Sequence, residues 1–283
     1  MTRSYLKGLS SALRHWRLVL LVFVMGLLGG GAFMACSWLW LASALDSSLA
    51  TRTLLTSLDI NVFIDLVAHH GDSLSILLLA TLLLALGGSL LWIWVNAAVV
   101  AAVSGAYDSV SAACRAGAAS YFQVLKLWLG AMVSYALIGF ATYMTERAMT
   151  RWTAGNSNEM TPYWIIALCV LGATLAALII ATIHDHARVR CLGTGETGGR
   201  AGLWACAYVV RERKAVALTI LFVCTSIALW AAYQAGATVL PANSGLGLSA
   251  SLVWAQSFMA ARAVVRVWAF AAATELQTSA EAA

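Results

Sequence analysis

Six apolar runs, each close to the length of a bilayer-spanning helix, alternate along the chain with shorter stretches of mixed polarity. The runs cover residues 18–41, 75–99, 124–143, 163–183, 215–236 and 246–271. A hydrocarbon core of ~30 Å takes about 20 helical residues, so each run predicts one transmembrane helix. Pro162 opens the fourth run and Pro241 falls in the turn before the sixth. Neither therefore interrupts a span.

The mixed stretches are not random. Residues 4–16, 108–122 and 201–213 each place small, apolar and charged side chains at helical spacing, and each leads into an odd-numbered span. They predict amphipathic elbows lying in the membrane interface. Tyr121, Trp128, Trp204 and Tyr208 suit that depth. The resulting unit is elbow, helix out, helix back, repeated over residues 1–103, 104–192 and 193–276. Residues 277–283 are expected to form a disordered tail. Within the one long loop, Ile60, Phe63, Leu66 and Val67 predict a short helix over 60–68, on the outer surface or as a lid over the bundle.

Composition fixes the class. Of 283 residues, 61% are hydrophobic and 10% charged. A soluble domain carries ~25% charged residues, so a soluble globule and a disordered chain are both excluded. The expectation is an all-α, polytopic membrane bundle of six helices in a single domain over 1–283.

Charge sets the orientation. With the N-terminus inside, the inner segments hold twelve of the 17 Lys and Arg residues, while the outer ones hold only Arg52, Arg147 and Arg151. Positive-inside bias thus places both termini in the cytoplasm. The net charge of +5 reads as anchoring to anionic lipid, not as nucleic-acid binding. No cysteine falls in an outer loop, so no disulfide framework is expected.

Candidate chemistry concentrates at the inner ends of the fourth and sixth spans. Arg262 and Arg266 share one helix face, and an intramembrane arginine costs at least ~2.5 kcal/mol unless partnered. Asp185 is the expected partner of Arg262, with Asp108 and Glu212 as alternatives. Arg188 and Arg190 add two more cations beside it. These five residues, Asp185, Arg188, Arg190, Arg262 and Arg266, form either an ion-pair lock or a site for an anionic headgroup. His184 and His186 are spaced so that their side chains diverge, which argues against a shared metal. Ser89, Trp92 and Asn96 share a face of the second span and read as interhelical glue. Gly26 and Gly30, with Gly87 and Gly88, suggest close helix contacts. No nucleotide-binding or hydrolase motif is present, so neither a cofactor nor a catalytic site is expected.

The segments Asp185-His186-Ala187-Arg188-Val189-Arg190 and Ala261-Arg262-Ala263-Val264-Val265-Arg266-Val267-Trp268 resemble those of a family of uncharacterised bacterial six-helix inner-membrane proteins. The Tyr121-Phe122 to Leu127 region is similar too, although Gln123 and Lys126 stand where arginine is expected. The resemblance implies a bacterial inner-membrane location and the six-helix fold, and no activity. The functional expectation is a non-enzymatic membrane subunit or scaffold with a protein partner on its cytoplasmic face. The alternative is a permease-like or lipid-handling protein working with a separate ATPase.

Overall fold

The computed structural model describes residues 2–45, 71–105, 107, 109–152, 160–240 and 245–281. The described residues contain nine helices and no strand: α1 Thr2–Arg14, α2 Trp16–Leu45, α3 Gly71–Val103, α4 Val110–Ala119, α5 Tyr121–Trp152, α6 Thr161–Thr194, α7 Gly198–Arg211, α8 Arg213–Val239 and α9 Gly245–Glu281. Six of them, α2, α3, α5, α6, α8 and α9, are long and apolar enough to cross a membrane. The helix expected over 60–68, the carboxylate Asp108 and the loops around Asn156 and Asn243 lie outside the described residues.

The order short, long, long recurs three times. In each cycle a single residue joins the elbow to its outward helix: His15, Ser120 and Glu212. Setting His15 in register with Glu212 aligns Arg3 with Arg200, Leu6 with Leu203, Gly8 with Ala205, Leu13 with Val210 and Arg14 with Arg211. One short helix followed by two long ones is thus the recurring order of the described elements. The returns into the second and third elbows also share a device, a glycine in the left-handed region (Gly105 φ 78°, Gly195 φ 71°). The Gly195 N–H closes α6 on the Cys191 carbonyl, which satisfies one of the free acceptors at a helix C-terminus. At the other end of α4, Ser109 accepts a hydrogen bond from the Ala112 N–H, capping that helix.

The chain divides into two compact units. Residues 22–92 form one, a helical hairpin made of most of α2 and of α3, in which the Trp40 indole donates to Ser73 Oγ at 3.1 Å. The second unit combines residues 1–21 with 93–283 and holds all three elbows.

In that second unit the core sits at the elbow end of the helices. Residues 95–102 of α3 are buried on every face. So are 186–189 of α6 and 270–273 of α9. Towards the far ends, apolar side chains such as Leu137, Phe140, Leu168, Leu175, Ile227 and Trp230 are exposed, as lipid-facing positions are.

Each elbow packs on the preceding return helix, through small residues. A Cβ on Gly117 of α4 would lie 2.8 Å from the Ala98 nitrogen of α3. A Cβ on Gly8 of α1 would lie 2.7 Å from the Ala272 nitrogen of α9. Ala201, Ala205 and Val209 are the buried stripe of α7, which packs on α6. The first elbow seats on the last return helix, so the three contacts close into a cycle. Trp94 and Trp268 occupy matching places in it. Trp94 Nε1 donates to the Cys114 carbonyl at 3.1 Å, and Trp268 Nε1 to the Tyr5 carbonyl. In both cases the tryptophan is four residues before the alanine, and the carbonyl three before the glycine.

Two expectations are corrected here. Gly30, Gly87 and Gly88 do not mark close contacts, because a Cβ at any of them meets nothing within 4 Å. The close approaches to backbone fall in the elbows instead, at Gly8, Gly117 and Gly198, while Gly236 of α8 meets the Trp254 side chain. Residues 277–281 are not a disordered tail: α9 runs to Glu281, and Gln277 is only 6% exposed. The last turn of α9 is held by polar contacts, the Gln277 amide on His186 and the Glu281 carboxylate on Arg190.

Candidate functional site

Polar side chains in the elbow-side core come mainly from the ends of the return helices. Asn96 reaches in from α3, at 1% exposure. Thr182, His186 and Arg188 are buried on α6, and Gln277 on α9. Burying such groups costs free energy unless they are paired, so each partner decides a role.

Three groups are fully occupied. Thr182 Oγ1 donates to Leu178 O on its own helix, at 2.8 Å, and lies within hydrogen-bond distance of Thr219 Oγ1 of α8, at 3.0 Å. The Gln277 amide lies 2.9 Å from both His186 Nδ1 and the His186 carbonyl. The His186 ring then packs on Tyr208 with centroids 5.1 Å apart. These bonds join α6 to α8, α9 and α7, and they are structural. Tyr208 itself is held protonated. Burial, and then the nearby Glu212 and Glu281 carboxylates, push its phenol up to about 12.

Arg190 is neutralised as well. Its Nε and Nη2 both donate to Glu196 Oε1, at 3.1 and 2.9 Å, and Nη1 pairs with Glu281. Its guanidinium lies over the Trp204 ring at 4.8 Å. Guanidinium is suited to this double use because it is planar and weakly hydrated. The network ties the end of α6 to the start of α7 and to the last turn of α9.

The remaining cluster is less balanced. Arg188 is 5% exposed, and its Nη1 lies 3.4 Å from Asp185 Oδ1 one turn earlier. Its Nε is buried with no hydrogen-bond partner. Arg266 of α9 donates from Nε to Asn96 Oδ1 at 3.3 Å and lies over the Phe270 ring at 4.6 Å. Arg188, Arg266, Asp185 and His184 are close enough to influence one another electrostatically, and Tyr135 of α5 is within the same electrostatic reach of Arg188 and Asp185. The buried His184 Nε2 also lacks a partner. The structure thus brings Asp185, Arg188 and Arg266 together, with Arg190 engaged separately.

Arg262 is not part of this assembly. It is exposed, and its guanidinium lies over the Phe258 ring of its own helix at 5.7 Å. No carboxylate pairs with it among the described residues, and the partner expected for it, Asp185, is taken by Arg188. Position explains the difference. A pairing within one turn of a helix leaves little chain to order, whereas the pair between α6 and α9 requires two helices to present their ends at one point. Arg262→Ala and Asp185→Ala should therefore have additive effects on thermal stability in detergent. Arg188→Ala and Asp185→Ala should couple, because residues in contact do not act independently. Coupling in the first pair and none in the second would overturn the assignment.

Asn96, Glu196, Glu281 and Gln277 were not singled out by sequence as partners of these cations. Asn96 was legible as a polar residue on an apolar face, which is where an interhelical bond is expected. The two glutamates carried no such signal, since both flank loops or ends. No three His, Cys, Asp or Glu side chains converge as a metal site among the described residues. No protein-family model matches the chain, and neither does any curated protein or solved structure.

Proposed function

We propose that this multi-pass membrane protein is a non-enzymatic subunit or scaffold of a larger complex in the bacterial inner membrane, with its N-terminus in the cytoplasm. The observation that carries this reading is the cyclic elbow layer. Its contacts are backbone-close and its core is filled by alanine, valine and paired polar groups. Such a layer is a rigid platform. Its outer side is also patterned for an interface: Leu6 and Leu13 on α1, and Leu203 and Val210 on α7, are exposed beside Arg3, Lys7 and Arg14 and beside Arg200 and Arg211. Apolar and basic stripes on one helix suit the boundary between acyl chains and anionic headgroups. A basic face at that level is also available to an acidic protein partner.

Two measurements test it. In a cysteine-free background, Ser279→Cys should react with a membrane-impermeant maleimide only after the inner membrane is permeabilised. Labelling in intact spheroplasts would reverse the proposed orientation. Native mass spectrometry of the protein drawn gently from its host membrane should show a stoichiometric protein partner. That partner should be lost when Arg3 and Lys7 are both changed to Gln. The chain alone, unaffected by those changes, would remove the subunit reading.

A further inference from the structure

We propose that Arg188, Arg266 and His184 form a binding site for a phosphate-bearing anion at the elbow-side end of the membrane spans. The proposal concerns a small ligand and stands whether or not a protein partner exists.

The first argument is charge. Arg188 pairs with Asp185, while Arg266, near enough to Arg188 for their charges to interact, has no carboxylate partner among the described residues. The neighbouring Arg190 is engaged by Glu196 and Glu281 and is not open to a ligand. Arg266 is therefore a cation with no carboxylate against it, beside the buried Arg188. A buried charge left unpaired is expensive, and an anion is the direct remedy.

The second is donor geometry. The Arg188 Nε–H has no acceptor although Arg188 is 5% exposed, and the buried His184 Nε2 has none either. Arg266 spends Nε on the neutral amide oxygen of Asn96, a weaker acceptor than an anion. A guanidinium with an open N–H suits the oxygens of a phosphate, which accept charge-assisted bonds from such a fork.

The third is depth. At 1.5 Å per residue, Arg266 lies about 30 Å along α9 from Leu246, Asn96 about 35 Å along α3 from Ser73, and Arg188 about 38 Å along α6 from Tyr163. A hydrocarbon core is ~30 Å thick. The cluster thus falls at the level of headgroup phosphates on the elbow side. A phospholipid headgroup and a free phosphate share the chemistry, and the test separates them.

The full-length protein, purified in a detergent free of anionic lipid, is titrated with phosphatidylglycerol, with phosphatidylcholine, or with inorganic phosphate against sodium chloride of equal ionic strength. Thermal midpoint and native mass spectra are read together. Saturable stabilisation by phosphatidylglycerol alone identifies a headgroup site, and saturable stabilisation by inorganic phosphate identifies a free-phosphate site. In either case Arg188→Gln and Arg266→Gln should each weaken binding by at least about tenfold, since each removes a charge-assisted bond. The exposed Arg262→Gln should leave it unchanged. If Arg188→Gln does not fold, Arg266→Gln alone reads the same quantity. Absence of saturable binding by either probe, or equal binding by the wild type and both variants, overturns the proposal.

Discussion

Gly8→Val is expected to detach the first elbow from the last return helix and to lower stability by about 3 kcal/mol, near the upper end of what overpacking costs. The hydrogen of Gly8 faces the backbone of α9, where even a Cβ would come within 2.8 Å of the Ala272 nitrogen, Cα and Cβ. Backbone cannot yield as a side-chain tip does, so α1 itself must move. That movement pulls Tyr5 from its place beside Phe222 and Trp268, at centroid distances of 5.2 and 4.2 Å. It also breaks the Trp268 bond to the Tyr5 carbonyl and the Tyr5 hydroxyl contact with Thr225. Hydrogen exchange should rise in α1 and in residues 268–276 of α9, and trypsin should cut after Lys7 or Arg14. Gly199→Val, at a position where a Cβ meets nothing, should change neither reading.

The cyclic arrangement adds a sharper expectation. Gly117→Val should release α4 from α3 in the same manner. Mutations at well-separated sites usually add. In a closed layer the first opening already loosens the others, so the Gly8→Val, Gly117→Val double variant should lose less than the two single losses combined. Strict additivity would make the three elbow contacts independent.

The triple succession of one short and two long helices was legible because two physical periods coincide in the chain. Apolar runs of membrane length mark the spans, and amphipathic stretches near residues 4, 108 and 201 mark the elbows. How the units join was not legible from those periods. The cycle depends on α1 meeting α9, which no local pattern encodes. Its one trace is the small stripe Ser4, Gly8, Ala12 on α1, answered by Ala113 and Gly117 on α4 and by Ala201 and Ala205 on α7. A residue spacing of four with small side chains is the usual condition for close helix crossing. The expectation at Gly30 misled, because a small residue permits an approach without requiring one.

The arginines show the same limit. Helical geometry does put Arg262 and Arg266 on one side of α9, yet one is exposed over Phe258 and the other turns to Asn96. Four residues advance a 3.6-residue helix about 40° beyond a full turn. At the edge of a packed face that rotation separates inside from outside. The excess of cations at the end of α6 was visible in sequence. Which of them a carboxylate would silence was not, because Glu196 and Glu281 reach Arg190 from a loop and from a chain end.

Gln277→Leu is expected to be the most damaging substitution on the last turns of α9. Leucine fills nearly the same volume, so the change isolates the loss of the amide at this buried position. That amide lies within 2.9 Å of two acceptors at once, His186 Nδ1 and the His186 carbonyl. Both are buried, and neither can find water when the donor goes. Leaving a buried polar group unsatisfied costs about 1–3 kcal/mol, so losing the shared donor of two acceptors should cost about 2–4 kcal/mol. The site of the loss matters as much as its size. Gln277 joins α9 to α6 one turn before Glu281 completes the Arg190 network. Its removal should free the end of α9 and expose His186, whose ring rests on Tyr208. The thermal midpoint in detergent should fall, and exchange should accelerate at residues 274–281 and at 186–191, while the far ends of α8 and α9 stay protected. His186→Leu in the same background should restore part of the loss, because an apolar pair of similar shape leaves one fewer group unsatisfied. If Gln277→Leu behaves as the wild type, residues 277–281 form a free end and not a part of the core.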